Sequence, residues 1–300
     1  MSRPMERSVA IETPATRALD YVELTKPRIT FMVVVTTAAG YLLGASGGGS
    51  LGLLLHTIFG TALVASAASA LNQWFERDTD GLMERTRNRP LPAGRLEPTS
   101  VLIFGVAVGA FGTAYLALFV NTLTAGLGLG TLLLYVLAYT PMKRVSSLCT
   151  IVGAVPGALP PVMGWSAARD DLSTGAWVLF AVLFLWQMPH FLAIAWMYRD
   201  DYKAGGQPML PVLDPDGMRT GRQMILYSLA LLPVSLLPSV IGLTGPVYFT
   251  GAFLLGMAYI AASAFAAVQR TTDSARTLLR VSIVYLPILL GLMAASKVTP

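Results

Sequence analysis

Nine separate runs of about twenty mostly apolar residues leave this chain one kind of place to fold. The runs span 29–45, 51–71, 101–120, 123–140, 150–166, 176–196, 224–242, 247–268 and 278–296. Each is long enough to cross the hydrocarbon core of a bilayer as a helix. Backbone polar groups in lipid must be satisfied within the protein, so a helical bundle follows. The sequence therefore predicts an all-α integral membrane protein with nine transmembrane helices. A polar segment, 1–28, precedes a single polytopic domain, 29–300. Charged residues are only 12% of the chain, about half the share of a soluble protein. A single cysteine, Cys149, excludes a disulfide scaffold and a cysteine-held cluster, and two histidines cannot by themselves build a metal site.

The positive charges lie on one side. Nineteen of the 21 Lys and Arg fall before the first run, after the second, fourth and sixth runs, or around the start of the ninth. Only Arg169 and Lys297 lie on the other face. The positive-inside rule then predicts a cytoplasmic N-terminus. Residues 1–28 carry Glu6, Glu12, Asp20 and Glu23 and no apolar core, unlike a signal or transit peptide. A multi-pass protein of a bacterial plasma (inner) membrane is the expectation. The net charge of +5 is a topology signal, and no nucleic-acid partner is expected.

Nine of the sixteen acids fall in two loops on that same side, after the second and sixth runs. Four helices separate the loops, a spacing that suggests two four-helix halves and a ninth helix. If the second helix persists past its apolar run, Asn72, Glu76 and Asp80 stand at i, i+4 and i+8 on one face. Like charges at that spacing repel, and a divalent cation bound between them reverses the sign. Oxygen-only ligands favour Mg²⁺, which commonly bridges to substrate phosphates. The same acids would equally serve in a solvated loop, paired with Arg77, Arg85 and Arg87. Arg85, Arg87, Arg89 and Arg95 resemble a phosphate clamp, and Lys143 and Arg144, just after Tyr139, add two cations on that side. In the second cluster Asp200 and Asp201 are adjacent, so a helix turns only one of them inward. Asp214 and Asp216 read as a turn. A transporter would place ionisable groups at mid-depth, whereas these acids gather at one surface.

The spacing Asn72-xxx-Glu76-xxx-Asp80, followed by Arg85-Thr86-xx-Arg89-Pro90-Leu91, resembles the first motif of the UbiA superfamily of intramembrane prenyltransferases. Asp201-xxx-Gly205 is similar to its second motif, with Met197 where many members carry an Asp, and Tyr139-xxx-Lys143-Arg144 is similar to a further signature. The stretches 24–28, 85–92, 186–191 and 201–211 resemble the haem-modifying branch. The resemblance implies a nine-helix bundle around a central cavity open to the cytoplasm and to lipid. It implies an enzyme that moves the farnesyl group of farnesyl diphosphate to a vinyl group of haem b, with water added, giving haem O for terminal oxidase assembly. The alternative is a related enzyme acting on an aromatic quinone precursor.

On that resemblance Asn72, Glu76, Asp80 and Asp201 hold Mg²⁺ on the diphosphate, and Lys143 acts with them in catalysis. Arg77, Arg85, Arg89, Tyr139, Arg144, Asp200 and Tyr202 contact substrate. Haem b is a substrate rather than a cofactor, and a haem A synthase is one candidate partner. His190 follows Pro189 inside the sixth run, where it could ligate haem iron, order substrate, or bond a carbonyl that the proline frees. His56, near the far end of the second run, reads as structural.

Overall fold

The computed structural model describes residues 14–47 and 49–298, so the first thirteen residues of the polar leader lie outside it. A short helix, α1 (Pro14–Leu24), precedes the first membrane helix, α2 (Pro27–Gly44). Then come α3 (Leu51–Asp80), α4 (Pro98–Phe119) and α5 (Thr122–Leu133). A π-helical turn at Leu134–Tyr139 runs on into α6 (Thr140–Met142). Next are α7 (Cys149–Ala158) and α8 (Pro160–Arg169), split at Leu159 where Pro160 and Pro161 interrupt the hydrogen-bond ladder. The chain continues with α9 (Thr174–Met197), α10 (Arg199–Ala204), α11 (Leu210–Leu213), α12 (Met218–Val240), α13 (Pro246–Gln269) and α14 (Thr272–Ala295).

Among the described residues nine helical spans are long and apolar enough to cross a membrane, one for each predicted run. Several are longer than their apolar runs. α12 and α14 each begin six residues early, in polar sequence at the charged end, and α3 carries nine residues past Leu71. A helix can continue past the hydrocarbon because it bonds its own backbone.

Glycines let neighbouring helices approach closely. A Cβ on Gly164 of α8 would lie 1.8 Å from the Thr37 carbonyl oxygen of α2, and one on Gly40 of α2 would lie 2.0 Å from the Pro161 oxygen. Gly60, Gly105 and Gly112 similarly receive Leu116, Leu71 and Leu63 between α3 and α4. Small residues at crossings are what permit backbone contact in lipid, where no water is expelled to drive association. In the second half α9, α12, α13 and α14 close around Tyr248, Tyr259 and Tyr285, with Trp165 of α8 in the same cluster. Two of the phenols are bonded: Tyr248 donates to the Ser235 carbonyl at 2.6 Å and Tyr259 to the Trp186 carbonyl at 2.8 Å, whereas the buried Tyr285 hydroxyl has no partner among the described residues.

Candidate active site

The helix that carries Asn72, Glu76 and Asp80 runs unbroken to Asp80, so all three share one face and all are buried. Each meets a cation from a different part of the chain. Lys26 Nζ donates to Asn72 Oδ1 at 3.1 Å, and Arg89 Nη1 to Asp80 Oδ2 at 2.7 Å. Lys143 Nζ lies 2.8 Å from Glu76 Oε1 and donates to Oε2 at 3.1 Å. The repulsion expected along this face is thus offset by three cations rather than by a solvated loop. Asp80 Oδ1 stays buried with no partner. A bare carboxylate oxygen beside two further oxygen ligands fits a hard divalent cation.

These groups close one end of a cavity of about 370 Å³. Lys26, Arg85, Arg89, Lys143 and Asn72 line its charged end, with Tyr135, Tyr139 and Tyr202. Val33, Val64, Ala68, Met163, Phe191 and Ile194 line the rest. Glu76 and Asp80 stand behind the cations that face the cavity. The π-turn shapes this wall, as such turns often do at functional sites. Thr140 Oγ1 donates to the Tyr135 carbonyl at 2.8 Å and accepts from Asn72 Nδ2 at 3.2 Å, which fixes the amide. Lys143 Nζ also sits 4.6 Å from the centre of the Tyr139 ring.

The two lysines are tuned differently. Burial lowers the pKa of Lys26 to about 7, assisted by the nearby charges of Arg89 and Lys143. For Lys143 burial acts downward too, but Tyr139 and Glu76 outweigh it and hold the amine well above the ordinary lysine value. Sequence reading gave Lys26 no role at the site. It caps α2 in the left-handed region, φ 46°, an uncommon conformation for a lysine. Such strain of order 1–3 kcal/mol persists where surrounding structure fixes it, and here the side chain reaches Asn72. Tyr135 and Thr140 were missed as well, since nothing in the sequence signals a π-turn.

Other predicted residues fall outside the cavity. Arg77 bonds the Trp74 carbonyl of its own helix at 2.8 Å and lies beside Asp78. Arg144 is exposed, donating to the Phe75 carbonyl. Asp200 is exposed on the surface. Asp201 Oδ1 accepts from the Glu84 amide at 3.1 Å, so it clasps the loop after α3. Among the described residues no three His, Cys, Asp or Glu side chains gather into a metal-binding group. The four-arginine clamp divides: Arg85 and Arg89 face the cavity, Arg87 pairs with Glu84, and Arg95 holds Asp20 and Glu23 of α1. Arg85 packs over the rings of Tyr198 and Tyr202, 5.0 and 5.7 Å from their centres. His190 does not line this cavity, and its ring bonds a serine hydroxyl rather than a carbonyl freed by Pro189.

Fold and site together define a polytopic membrane protein with cations gathered at one end of a largely apolar chamber. The chain belongs to the UbiA prenyltransferase family, whose model matches residues 33–294. It is 50% identical over 287 residues to the protoheme IX farnesyltransferase of Solibacter usitatus (strain Ellin6076), covering 93% of this chain and 98% of that one. Its fold is similar to that of a digeranylgeranylglyceryl phosphate synthase, with TM-score 0.79 and 16% identity over 93% of this chain and 98% of the other. It is also similar to a UbiA homologue from Archaeoglobus fulgidus bound to GPP and Mg²⁺, with TM-score 0.67 and 16% identity over 91% and 99% of the two chains.

Proposed function

We propose that this prenyltransferase moves the farnesyl group of farnesyl diphosphate to a vinyl group of haem b in a bacterial inner membrane, working on the cytoplasmic side. The observation that carries the reading is the row of cations backed by buried oxygen ligands at the charged end of an apolar cavity. The choice of haem as acceptor, rather than an aromatic quinone precursor, is supported by the Solibacter relative's name and by identity along nearly the whole of both chains.

In the reaction the allylic C–O bond breaks and its electron pair leaves with the diphosphate. The vinyl group supplies the electrons of the new C–C bond. The cation left beside the porphyrin takes the oxygen of water, which loses a proton, and the product is haem O. Lys26, Arg85, Arg89 and Lys143 line the place where leaving-group charge would develop, and preorganised cations in a dry site stabilise such charge strongly. Asn72, Glu76 and Asp80 would hold Mg²⁺, which supplies further charge neutralisation on the diphosphate. The use of Mg²⁺ with a prenyl diphosphate is supported by the UbiA homologue of this fold bound to GPP and Mg²⁺. Lys143 and Arg89 would then turn from the carboxylates to phosphate oxygens. The apolar walls from Val33 to Ile194 exclude water from the allylic cation until the acceptor attacks. Asp201, as the clasp on Glu84, keeps the loop bearing Arg85 and Arg89 closed over this end.

The test supplies purified protein in lipid with haem b, farnesyl diphosphate and Mg²⁺, and reads haem O by mass. A related enzyme run in parallel serves as control. Absence of product while the control turns over rejects the reading, and transfer to a hydroxybenzoate instead would favour the quinone precursor.

A further inference from the structure

His190 lies on α9 one residue before Phe191, which lines the cavity, and one turn before Ile194, which also does. Its ring stacks on Trp186, centres 5.1 Å apart and planes 29° from parallel. His190 Nδ1 is 2.7 Å from the Ser282 hydroxyl of α14. That hydroxyl has one proton, and it is committed to the Leu279 carbonyl at 2.6 Å. Ser282 must therefore accept from His190, which puts the imidazole proton on Nδ1. The Nε2 lone pair is then bare, and among the described residues no group bonds it.

The mounting is rigid. Trp186 Nε1 donates to the Ser282 carbonyl at 3.0 Å, so both rings hang from one residue of α14. Tyr259 donates to the Trp186 carbonyl and stacks on Tyr285 with centres 5.0 Å apart. Ser282 itself is fully buried, whereas His190 is only half-buried. A histidine kept for packing gains by pairing both nitrogens, because an unpaired polar atom in an apolar setting is costly. A fixed Nδ1–H donor with a free Nε2 is instead the arrangement that prepares an imidazole to bind a metal.

We propose that His190 Nε2 is the axial ligand of the substrate porphyrin's iron, with Ser282 setting its tautomer and Trp186 its ring plane. The inference rests on haem being the acceptor and adds how the chain grips it. An imidazole–iron bond anchors the macrocycle from α9, the helix that also lines the prenyl cavity, so the vinyl edge is presented at a fixed distance from the allylic carbon.

The experiment titrates haem b and, separately, iron-free protoporphyrin IX into the lipid-reconstituted wild type, His190→Ala and Ser282→Ala. Absorption in the Soret region and Kd are read. Wild type should show the spectrum of imidazole-ligated haem and bind it more tightly than protoporphyrin IX. His190→Ala should lose that spectrum, weaken haem binding by about ten-fold or more, bind protoporphyrin IX as before, and regain the spectrum when imidazole is added. Ser282→Ala should keep the ligated spectrum with a smaller loss of affinity. Unchanged farnesyl diphosphate binding in each variant verifies folding. A His190→Ala protein with the wild-type haem spectrum and wild-type preference for haem overturns the assignment. If wild type makes haem O and yet shows that result, only the ligation falls. If wild type makes no haem O, the functional reading itself falls.

Discussion

The two ends of the bundle are both polar, and they handle their polar groups in opposite ways. At the far end every named group is satisfied. Asp171 Oδ1 accepts from Trp165 Nε1 and from the amide and hydroxyl of Ser173, while Oδ2 takes Arg169. Lys297 caps the carbonyls of Leu42 and Ala45 at the end of α2. At the charged end Asp80 keeps a bare oxygen, and a π-turn interrupts the helix that delivers Lys143. At one end the named groups are paired within a clasp. The other holds unspent ligands and cations next to empty space, which is where chemistry belongs.

The sharpest way to break this contrast is Asp80→Asn, which keeps the shape and removes the ligand charge. Turnover should fall at least about 100-fold, and Tm should fall as well because Arg89 loses its charged partner. Wild-type rates would remove the metal assignment, and so would full activity in excess EDTA. Next is the buried pair. Lys143→Met leaves Glu76 unpaired and should cost about 3 kcal/mol in stability as well as activity. Adding Glu76→Gln should restore stability without restoring turnover. A double variant as unstable as the single one would mean that the pair does not act through charge.

Gly164→Ala sharpens the comparison from outside the site. The added methyl meets the α2 backbone, so stability should drop by about 1–3 kcal/mol, seen as a lower Tm, in both apo and loaded protein. Lys26→Ala should raise KM for farnesyl diphosphate by about ten-fold, the worth of one charged hydrogen bond, with a smaller effect on kcat. An unchanged KM would return Lys26 to a purely capping role. The smallest effect belongs to the far end. Hydrogen bonds from Ser173 hold the Asp171 carboxyl well below the ordinary carboxylate range. A depressed pKa stabilises the fold above about pH 4, and that contribution fades as the carboxyl is protonated at lower pH. Asp171→Asn should therefore lower Tm by only a degree or two at pH 7 and leave turnover alone, since Asp171 is half-exposed. Lost activity in that variant would erase the distinction between the two ends.

Much of the charged end was readable because a helix enforces its own periodicity. Asn72, Glu76 and Asp80 share a face wherever α3 is helical, and the helix does reach Asp80. The arginines were less readable, since they sit in an irregular loop where spacing implies no direction. Nothing local separates Arg85 and Arg89, which line the cavity, from Arg87 and Arg95, which do not. Lys26 was hidden for another reason: its partner is 46 residues away and its backbone conformation is not encoded by a glycine. Asp201 fitted a motif by spacing, but its carboxylate serves the Glu84 amide.

The chain by itself determined its solvent, its nine spans and the end at which charge collects, because these follow from transfer free energies that add residue by residue along the sequence. Which oxygen meets which cation, which nitrogen of His190 carries the proton, and which carboxylate oxygen remains bare were decided only when distant helices packed. Hydrogen bonds depend on distance and direction between groups, and helix periodicity fixes neither across a bundle.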